Sequence, residues 1–190
     1  MQNPDSRDFY SNLEVEGIVV RAAAGDTEAF GHLYDLYADR IYRHIYYRTG
    51  NVEDARDLTH EVFIEAWQAL PRYKRTKTPF LGWLFTICRH TVIDHYRTKK
   101  DYSYLNDDIV LEDPGETPEE LAEAEYTQQE IRRAILKLPY DQQQVILLSF
   151  IEGFDYKEIA AALNKSEGNI RVIVHRALKK MRELIGEAGK

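Results

Sequence analysis

The sequence predicts an all-α protein made of two small helical domains joined by an acidic linker. Across most of the 190 residues, apolar side chains recur every three or four positions, the spacing of a helix that buries one face. No alternating apolar and polar run indicates a strand. Glycine, proline and asparagine interrupt the helical pattern and divide it into eight helices. We divide the chain into a flexible N-terminus over 1–13, an N-terminal domain over 14–100, a linker over 101–117 and a C-terminal domain over 118–190.

The composition indicates a soluble globular chain, since 44% of the residues are hydrophobic and 30% are charged. The longest apolar stretch, Val145 to Ile151, is too short to span a membrane, and the N-terminus lacks the apolar core of a signal peptide. The one cysteine, Cys88, excludes an internal disulfide and a multi-cysteine zinc site. We therefore expect a cytoplasmic protein that has no metal, no cofactor and no membrane insertion.

The net charge of −7 is concentrated in one segment. Residues 101–125 contain ten acidic and no basic side chains, whereas residues 126–190 contain 11 basic and eight acidic ones. Nucleic-acid binding must therefore be judged locally, because the acidity of the whole chain does not argue against it. The turn-rich segment 101–117 is interpreted as a linker, and its composition alone favours a solvated, self-repelling spacer.

Four helices are predicted in the N-terminal domain, over about 14–24, 27–48, 52–70 and 79–99, with breaks at Gly25, Gly50 and Pro71. The third has an acidic stripe three or four positions apart, on the side away from its apolar residues. Like charges at this spacing repel by a few tenths of a kcal/mol per pair, about 0.2–0.5. A basic partner would relieve that repulsion, but a merely solvated face explains the charges equally well. The stripe consists of Asp54, Asp57, Glu61 and Glu65.

A basic and aromatic segment follows the third helix. Cations surround Tyr73, and the helix that begins at Pro79 is rich in aromatic residues and ends in Arg97, Lys99 and Lys100. Cations follow a phosphate backbone and aromatic rings take up unstacked bases, so this combination suits single-stranded nucleic acid. Core packing is the alternative for Phe80, Trp83, Leu84 and Ile87, whereas Arg89, His90 and Arg97 are candidates for exposed contacts.

Four more helices are predicted after the linker, over about 118–138, 142–152, 156–163 and 167–185. The last two form the most informative pattern in the chain. Asp155 and Glu158 form a capping box, Asn164 and Lys165 form a turn, and Ser166 caps the final helix. We predict a helix-turn-helix whose second helix enters a DNA major groove, with an ordinary helical hairpin as the alternative. The final helix places Ile170, Val174, Ala177, Leu178 and Met181 inward, and Arg171, His175, Arg176, Lys179, Lys180 and Arg182 on its basic side.

Together these segments resemble the extracytoplasmic-function (ECF) sigma factors of the sigma-70 family over about residues 24–185. Residues 54–67 resemble region 2.2 of that family, residues 80–97 resemble regions 2.3–2.4, and residues 138–177 resemble region 4. Three such segments in the family's order, with a short acidic linker between the second and third, make the resemblance specific.

The resemblance implies a specificity subunit of bacterial core RNA polymerase with no catalytic centre, and therefore not an enzyme. Region 2 would dock on the β′ clamp helices, region 4 on the β flap, and an anti-sigma factor would hold the protein inactive, in some cases at the membrane. The expected core-polymerase contacts are Asp54, Asp57, Leu58, Glu61 and Glu65. The expected −10 contacts are Arg72, Tyr73, Lys74, Arg75, Lys77, Trp83, Arg89, His90, Arg97 and Lys100. The expected −35 contacts are Ser166, Asn169, Arg171, Val172, His175, Arg176 and Lys179.

Several positions depart from the family pattern. His60 replaces the usual Gln, His90 a common Asn, and Asn169 the usual Thr. Val172 and Ile173 stand where polar or basic residues are frequent, so they could touch only thymine methyls or sugars.

Two other functions remain open at this stage. A stand-alone helix-turn-helix regulator would need a dimerisation surface and a palindromic operator, and it would leave the N-terminal motifs unexplained. An enzyme could use His60, Cys88, His90 and His95, but no HExxH pattern or phosphate-binding loop accompanies them.

Overall fold

The computed structural model describes residues 12–74, 79–102 and 120–188, with side chains described for 13–74, 79–98 and 128–186. These ranges are helical and contain no strand, which confirms the all-α fold class. A 3-10 turn covers Leu70–Arg72 and a π-helical turn covers Leu147–Ile151. The α-helices are α1 (Asn12–Ala23), α2 (Thr27–Thr49), α3 (Val52–Ala69), α4 (Phe80–Tyr102), α5 (Glu120–Leu136), α6 (Tyr140–Ile146), α7 (Tyr156–Leu163) and α8 (Glu167–Ala188).

Side-chain and glycine caps delimit α2 and α3. The Asp26 carboxylate accepts a hydrogen bond from the backbone N–H of Ala29 at 3.0 Å, which opens α2. Gly50 ends α2 in the left-handed region, at φ 71°, where glycine has no steric penalty. Asn51 then accepts from the N–H of Asp54 at 2.9 Å and opens α3. Because only two residues separate the helices, α2 and α3 lie side by side.

The N-terminal core lies where α2, α3 and α4 meet. Leu33 and Ile41 of α2, Val62 of α3 and Leu84 of α4 belong to one fully buried cluster. The inward positions predicted for α3 are buried, so the helical periodicity identified its packing face correctly. Among the four apolar residues of α4 for which core packing was the alternative, Phe80 and Leu84 are buried, while Trp83 and Ile87 are half-buried.

The C-terminal domain confirms both predicted caps of the helix-turn-helix. The Asp155 carboxylate accepts from the N–H of Glu158 at 2.8 Å, and the Glu158 carboxylate accepts from the N–H of Asp155 at 2.9 Å. Asn164 ends α7 in the left-handed region, at φ 51°. Ser166 Oγ accepts from the N–H of Asn169 at 3.2 Å at the start of α8. The sharp turn between α7 and α8 is therefore built from the residues the sequence predicted.

The segment between α6 and α7 differs from the predicted single helix over 142–152. The helix begins earlier, after Pro139, and widens at Leu147 into the π-helical turn. The N–H of Phe154 donates to the Leu148 carbonyl at 2.9 Å, and Gly153 has φ 74°. Leu147 and Leu148 of the widened turn are buried.

Two further positions correct the predictions for α8. Leu178, predicted to face inward, is 39% exposed, and Ile173, considered as a DNA contact, is buried. The buried side of α8 consists of Ile170, Ile173, Val174 and Ala177. Leu178 lies at the margin of that side, where solvent reaches it.

Helix α4 extends to Tyr102, two residues into the predicted linker. Most of that linker, and most of the N-terminus predicted to be flexible, lie outside the described residues. No helix in the described ranges has the length and apolar character needed to cross a bilayer.

The two halves of the chain pack against each other, an arrangement that no sequence pattern predicted. Helix α5 lies against α2, and α7 lies against α4. The rings of Phe85 and Phe154 meet edge-on with centroids 5.6 Å apart, and the Thr86 hydroxyl lies 3.5 Å from the Ala162 carbonyl oxygen. Buried residues of α4 and α7 belong to one continuous cluster.

Candidate nucleic-acid and protein interfaces

The outer face of α8 is cationic and exposed. Arg176 and Lys179 make no ion pair with any described residue, and Arg171 lies 3.8 Å from Glu167 across an exposed turn. Exposed ion pairs of this kind are weak. Arg171 can therefore leave the Glu167 carboxylate and bind a phosphate at little cost in free energy. The start of α8 adds the positive end of a helix dipole, which attracts anions. All seven residues predicted to contact the −35 element are exposed: Ser166, Asn169, Arg171, Val172, His175, Arg176 and Lys179.

Helix α7 supports this face from behind. Ile159 and Leu163 of α7 share a buried cluster with Ile170 and Val174 of α8. Because the capping box fixes the start of α7 and Asn164 fixes its end, α8 has a set direction relative to α7. The arrangement matches a recognition helix presented by a supporting helix.

Three aromatic rings form a cluster at the start of α4. The Tyr73 and Trp83 centroids lie 4.8 Å apart, and Phe80 lies 5.4 Å from Trp83 and 5.8 Å from Tyr73. Phe80 is buried, whereas Tyr73 and Trp83 are half-buried. Arg72 and Lys74 are exposed beside them, so the cluster joins aromatic faces to cations as stacking on single strands requires.

The predicted −10 cations of α4 fall into different environments. His90 is exposed, and Arg97 pairs with Asp94 at 3.3 Å on the surface. Arg89, predicted to be exposed, is half-buried beside Tyr140 of α6, with its guanidinium carbon 5.9 Å from the centre of that ring. The packing of the domains therefore covers Arg89. Predicted contacts Arg75 and Lys77, and the side chain of Lys100, lie outside the described residues.

Two carboxylates of the acidic stripe of α3 contact α4, and the other two are exposed to solvent. His95 of α4 lies 3.6 Å from the Asp54 carboxylate, and the Thr91 hydroxyl donates to Glu65 at 3.3 Å. Partial burial, together with the neighbouring Glu61 carboxylate, raises the pKa of Glu65. Asp57 and Glu61 are exposed. These two carboxylates are therefore the members of the stripe that a basic partner can reach most directly.

Leu58 corrects the prediction for this surface. Its side chain is 2% exposed and belongs to the N-terminal core, so it cannot contact a partner directly. The periodicity that placed it inward was right, and its role at a polymerase interface stays a prediction that its burial makes indirect.

An aromatic groove between α2 and α3 was missed from the sequence. It encloses about 370 Å³, and Ile64 at its edge is 59% exposed. The Phe30 and Trp67 centroids lie 4.8 Å apart, and the Tyr34 ring stacks near His60. One signal was present in the sequence: Ile64 and Trp67 form a second apolar line on α3, separate from its buried face. The lining residues are Thr27, Phe30, Tyr34, His60, Phe63, Ile64 and Trp67.

The residues considered for enzymatic chemistry are not brought together. Cys88 is buried, and that burial raises the pKa of its thiol to about 12, which disfavours the nucleophilic thiolate. The described part of the chain contains no group of three or more His, Cys, Asp or Glu side chains that could hold a metal ion.

Comparison with known proteins assigns both halves to one family. Residues 33–102 match the model of sigma-70 region 2, and residues 128–181 match the model of sigma-70 region 4. The ECF RNA polymerase sigma factor SigW of Bacillus subtilis is 30% identical over 169 residues, a match that covers 84% of this chain and 90% of SigW. The chain belongs to the ECF sigma factors of the sigma-70 family.

A second relative supports this assignment. The ECF RNA polymerase sigma factor BldN of Streptomyces coelicolor is 32% identical over 170 residues, which is 88% of this chain but 64% of BldN. The chain thus spans slightly less than two thirds of that relative.

Solved structures show the same fold. CnrH, in complex with the cytosolic domain of CnrY, has a TM-score of 0.69 at 24% identity and matches 90% of this chain and 96% of its own. The sigma factor RpoE of Bartonella quintana, in complex with the anti-sigma factor NepR, has a TM-score of 0.66 at 21% identity, covering 83% of this chain and 96% of its own.

Family membership decides between the functions left open by the sequence. A stand-alone helix-turn-helix regulator is not favoured, because the region 2 match accounts for the N-terminal motifs that this alternative leaves unexplained. In this sigma factor the cationic face of α8 falls within region 4, and α3, the groove beside it and α4 fall mainly within region 2.

Proposed function

We propose that this sigma factor binds bacterial core RNA polymerase and directs promoter-specific initiation by reading −35 duplex DNA and capturing the melted −10 strand. The exposed cationic face of α8, presented by the capped helix α7, is the observation that carries the proposal. Its position within the region 4 match supports the assignment of that face to DNA.

At the −35 element, α8 lies in the major groove. Arg171, Arg176 and Lys179 contact phosphates or base edges, and the N-terminus of α8 lies near a phosphate. The exposed Val172 side chain has no hydrogen-bond donor, so it favours an apolar contact with a thymine methyl.

At the −10 element, the aromatic cluster at the start of α4 takes up a base that leaves the stack. Extruding a base costs a few kcal/mol, so stacking and polar contacts must offset that cost. Tyr73 and Trp83 supply half-buried rings, and Arg72 and Lys74 supply exposed cations beside them. Arg75 and Lys77, which follow in the sequence and lie outside the described residues, are assigned to the same proposed site on their charge.

Core polymerase binds to α3 through two adjoining features. Asp57 and Glu61 attract a basic surface on the β′ clamp helices, and the aromatic groove beside Ile64 receives an apolar side chain. The C-terminal domain docks on the β flap. The ten carboxylates of residues 101–125 occupy basic channels of polymerase that nucleic acid otherwise uses.

An anti-sigma factor is a further proposed partner. The similar sigma factor of Bartonella quintana was solved in complex with one, and its fold matches this chain over 83% of the length. A membrane-bound partner of this kind would hold the sigma factor at the membrane until a signal releases it to the nucleoid.

Run-off transcription tests the proposal directly. Purified core polymerase is incubated with a library of promoter fragments, with and without the protein. We expect specific transcripts only when the protein is present, and loss of those transcripts when Arg171 and Arg176 are both replaced by Ala. Lys137→Ala, which removes an exposed cation of the same domain outside α8, should leave them intact.

The opposite result has a defined meaning. A protein that binds duplex DNA but neither binds core polymerase nor directs any start site would be a stand-alone regulator, and the proposal would be wrong.

A further inference from the structure

Aromatic rings are concentrated in the groove between α2 and α3. Between ring centroids, Phe30 and Trp67 lie 4.8 Å apart, and Tyr34 and Phe63 lie 4.7 Å apart. Phe63 is buried, whereas Phe30, Tyr34 and Trp67 are half-buried and keep part of their surface in solvent. The groove encloses about 370 Å³, which falls within the range of small-molecule sites, roughly 300–1,000 Å³.

Two exposed carboxylates border this groove along α3. Asp57 lies three positions before His60, and Glu61 lies three positions before Ile64. Side chains three positions apart on a helix are neighbours, so each carboxylate stands beside a residue that lines the groove. Negative charge is therefore present at the edge of the groove, next to aromatic faces that are themselves electron-rich.

The neighbouring cations leave that edge acidic. Near Thr27, the Arg21 guanidinium lies 2.6 Å from the Asp26 carboxylate, so these two charges offset each other. On α3, the exposed Arg56 lies one turn before His60 and is not among the residues that line the groove. The groove is consequently an aromatic surface with a net negative charge at its edge.

The aromatic cluster at the start of α4 has the opposite surroundings. There, Tyr73 and Trp83 lie beside the exposed cations Arg72 and Lys74. Cations beside rings suit the phosphates and bases of nucleic acid, whereas carboxylates beside rings repel phosphates. The two aromatic surfaces therefore favour ligands of opposite charge.

We propose that the groove between α2 and α3 is a binding site for a small organic cation, an amine carried on an apolar ring. The ring of the ligand packs among Phe30, Tyr34 and Trp67. Its ammonium group lies over an aromatic face or beside the carboxylates of Asp57 and Glu61. A cation over an aromatic face is attracted by the ring quadrupole, and the attraction is strongest for Trp.

Occupancy of the groove should compete with the docking of polymerase. This consequence rests on the proposed function, in which the groove beside Ile64 and the exposed carboxylates of α3 contact core polymerase. A ligand that fills the groove and pairs with those carboxylates occupies the same surface. Its binding therefore lowers the fraction of sigma factor that is able to dock. The site would let a small cation regulate initiation directly.

The test uses ligands that share a phenyl ring and an alkyl chain and differ in their terminal charge: phenylbutylamine, phenylbutanol and phenylbutyrate. Binding to the full chain is followed by NMR through the indole N–H signals of Trp67 and Trp83, the two tryptophans of the sequence. Trp83→Phe assigns the two signals. Because Trp83 belongs to the cluster with cationic surroundings, its signal is an internal control for the location of the ligand.

Phenylbutylamine should shift the Trp67 signal, leave the Trp83 signal in place and bind about fivefold more tightly than phenylbutanol. Phenylbutyrate should bind most weakly, because the carboxylates at the edge repel it. Asp57→Asn combined with Glu61→Gln should remove the difference between the amine and the alcohol. Asp94→Asn, which removes an exposed carboxylate of α4 outside the groove, should preserve that difference.

Two results would overturn the proposed site. One is equal affinity of the parent protein for the amine and the alcohol. The other is an amine that shifts the Trp83 signal and leaves the Trp67 signal in place.

Competition is measured by titrating labelled sigma factor with core polymerase at increasing concentrations of phenylbutylamine. The apparent affinity for polymerase should fall as the amine saturates the groove. An unchanged affinity at saturating amine would refute the competition. Failure of the proposed function has a different signature, since the parent protein would then not bind core polymerase even without the amine.

Discussion

Arg132 and Tyr46 lie 86 positions apart in the sequence and in different domains, yet the guanidinium carbon of Arg132 stands 3.9 Å over the centre of the Tyr46 ring. The same side chain donates to the Gly50 carbonyl, which is one of the groups a helix leaves unpaired at its C-terminus. A cation at that end is also favoured by the helix dipole. The C-terminal end of α2 therefore forms the contact site for Arg132 of α5.

His44, in the middle of the same face of α2, should make stability depend on pH. Complete burial, with the Arg48 charge nearby, lowers its pKa to about 3 in the folded protein, against roughly 6.5 when unfolded. The unfolded chain thus binds more protons between these values, and stability falls as pH drops below about 6.5. The free energy of unfolding should decrease by about 2 kcal/mol between pH 8 and pH 5.

Urea unfolding at several pH values checks this prediction against His44→Gln. Burial raises the pKa of Glu152, so this group makes the free energy of unfolding rise as pH falls, opposite to His44. Because parent and variant both contain Glu152, its contribution cancels in the difference between their unfolding free energies. The exposed His32 provides the control His32→Gln, whose curve should parallel the parent. A parent-minus-variant difference that stays constant from pH 8 to pH 5 would contradict the assignment to His44.

The capping box at Asp155 should stabilise the C-terminal domain measurably. Asp155→Ala removes the acceptor for the Glu158 N–H, and we expect a loss of about 1 kcal/mol in the free energy of unfolding. Asp155→Asn retains an acceptor oxygen and should lose much less. Lys157→Ala, an exposed change on the same helix, serves as the control. Equal losses for the Ala and Asn variants would show that the cap bond is not responsible.

Features encoded by neighbouring residues were predictable from the sequence. Helix α7 was predicted with its observed bounds, because Asp155, Glu158 and Asn164 carry local chemistry that fixes both ends. The inward face of α3 followed from periodicity for the same reason. Exposure of all seven −35 candidates is a further local consequence, since Ser166 caps α8 and the other six lie on the outer side of that one helix.

Features that depend on distant residues were not predictable. Arg89 looked exposed on α4, and only the packing of α6 shows that Tyr140 covers it. The groove beside Ile64 needs rings from two helices, and the helical period of the sequence does not report the π-helical turn over Leu147–Ile151. In each case the deciding partner lies elsewhere in the chain, where helical periodicity carries no information.

Salt dependence should reveal which cations of α8 contact phosphate. Arg176→Ala should weaken −35 binding and reduce the slope of log affinity against log salt concentration by about one. That change is expected because a lost phosphate contact releases one fewer counterion. Lys137→Ala, a cation of the same domain away from α8, should leave the slope unchanged. A slope unaffected by Arg176→Ala would place that side chain away from the DNA backbone.

The groove between α2 and α3 should contribute to polymerase binding independently of the acidic stripe. Ile64 is 59% exposed at its edge, so Ile64→Ser removes an apolar contact without opening a core cavity. A well-packed apolar contact in an interface is worth more than about 1 kcal/mol, and we expect affinity for core polymerase to fall about tenfold. Stability should change little, because the side chain is mostly in water in the free protein.

Val20→Ser is the matched control for this prediction, since Val20 is also an exposed apolar residue, on α1 and outside the groove. Affinity is measured by fluorescence anisotropy of the labelled sigma factor titrated with core polymerase at two salt concentrations. Glu61→Gln should weaken binding mainly at low salt, because its contribution is electrostatic and screened. Ile64→Ser should weaken it similarly at both concentrations, since burial of apolar surface does not depend on screening. An Ile64→Ser variant that binds as tightly as the parent would leave the exposed carboxylates of α3 as the main determinant of docking.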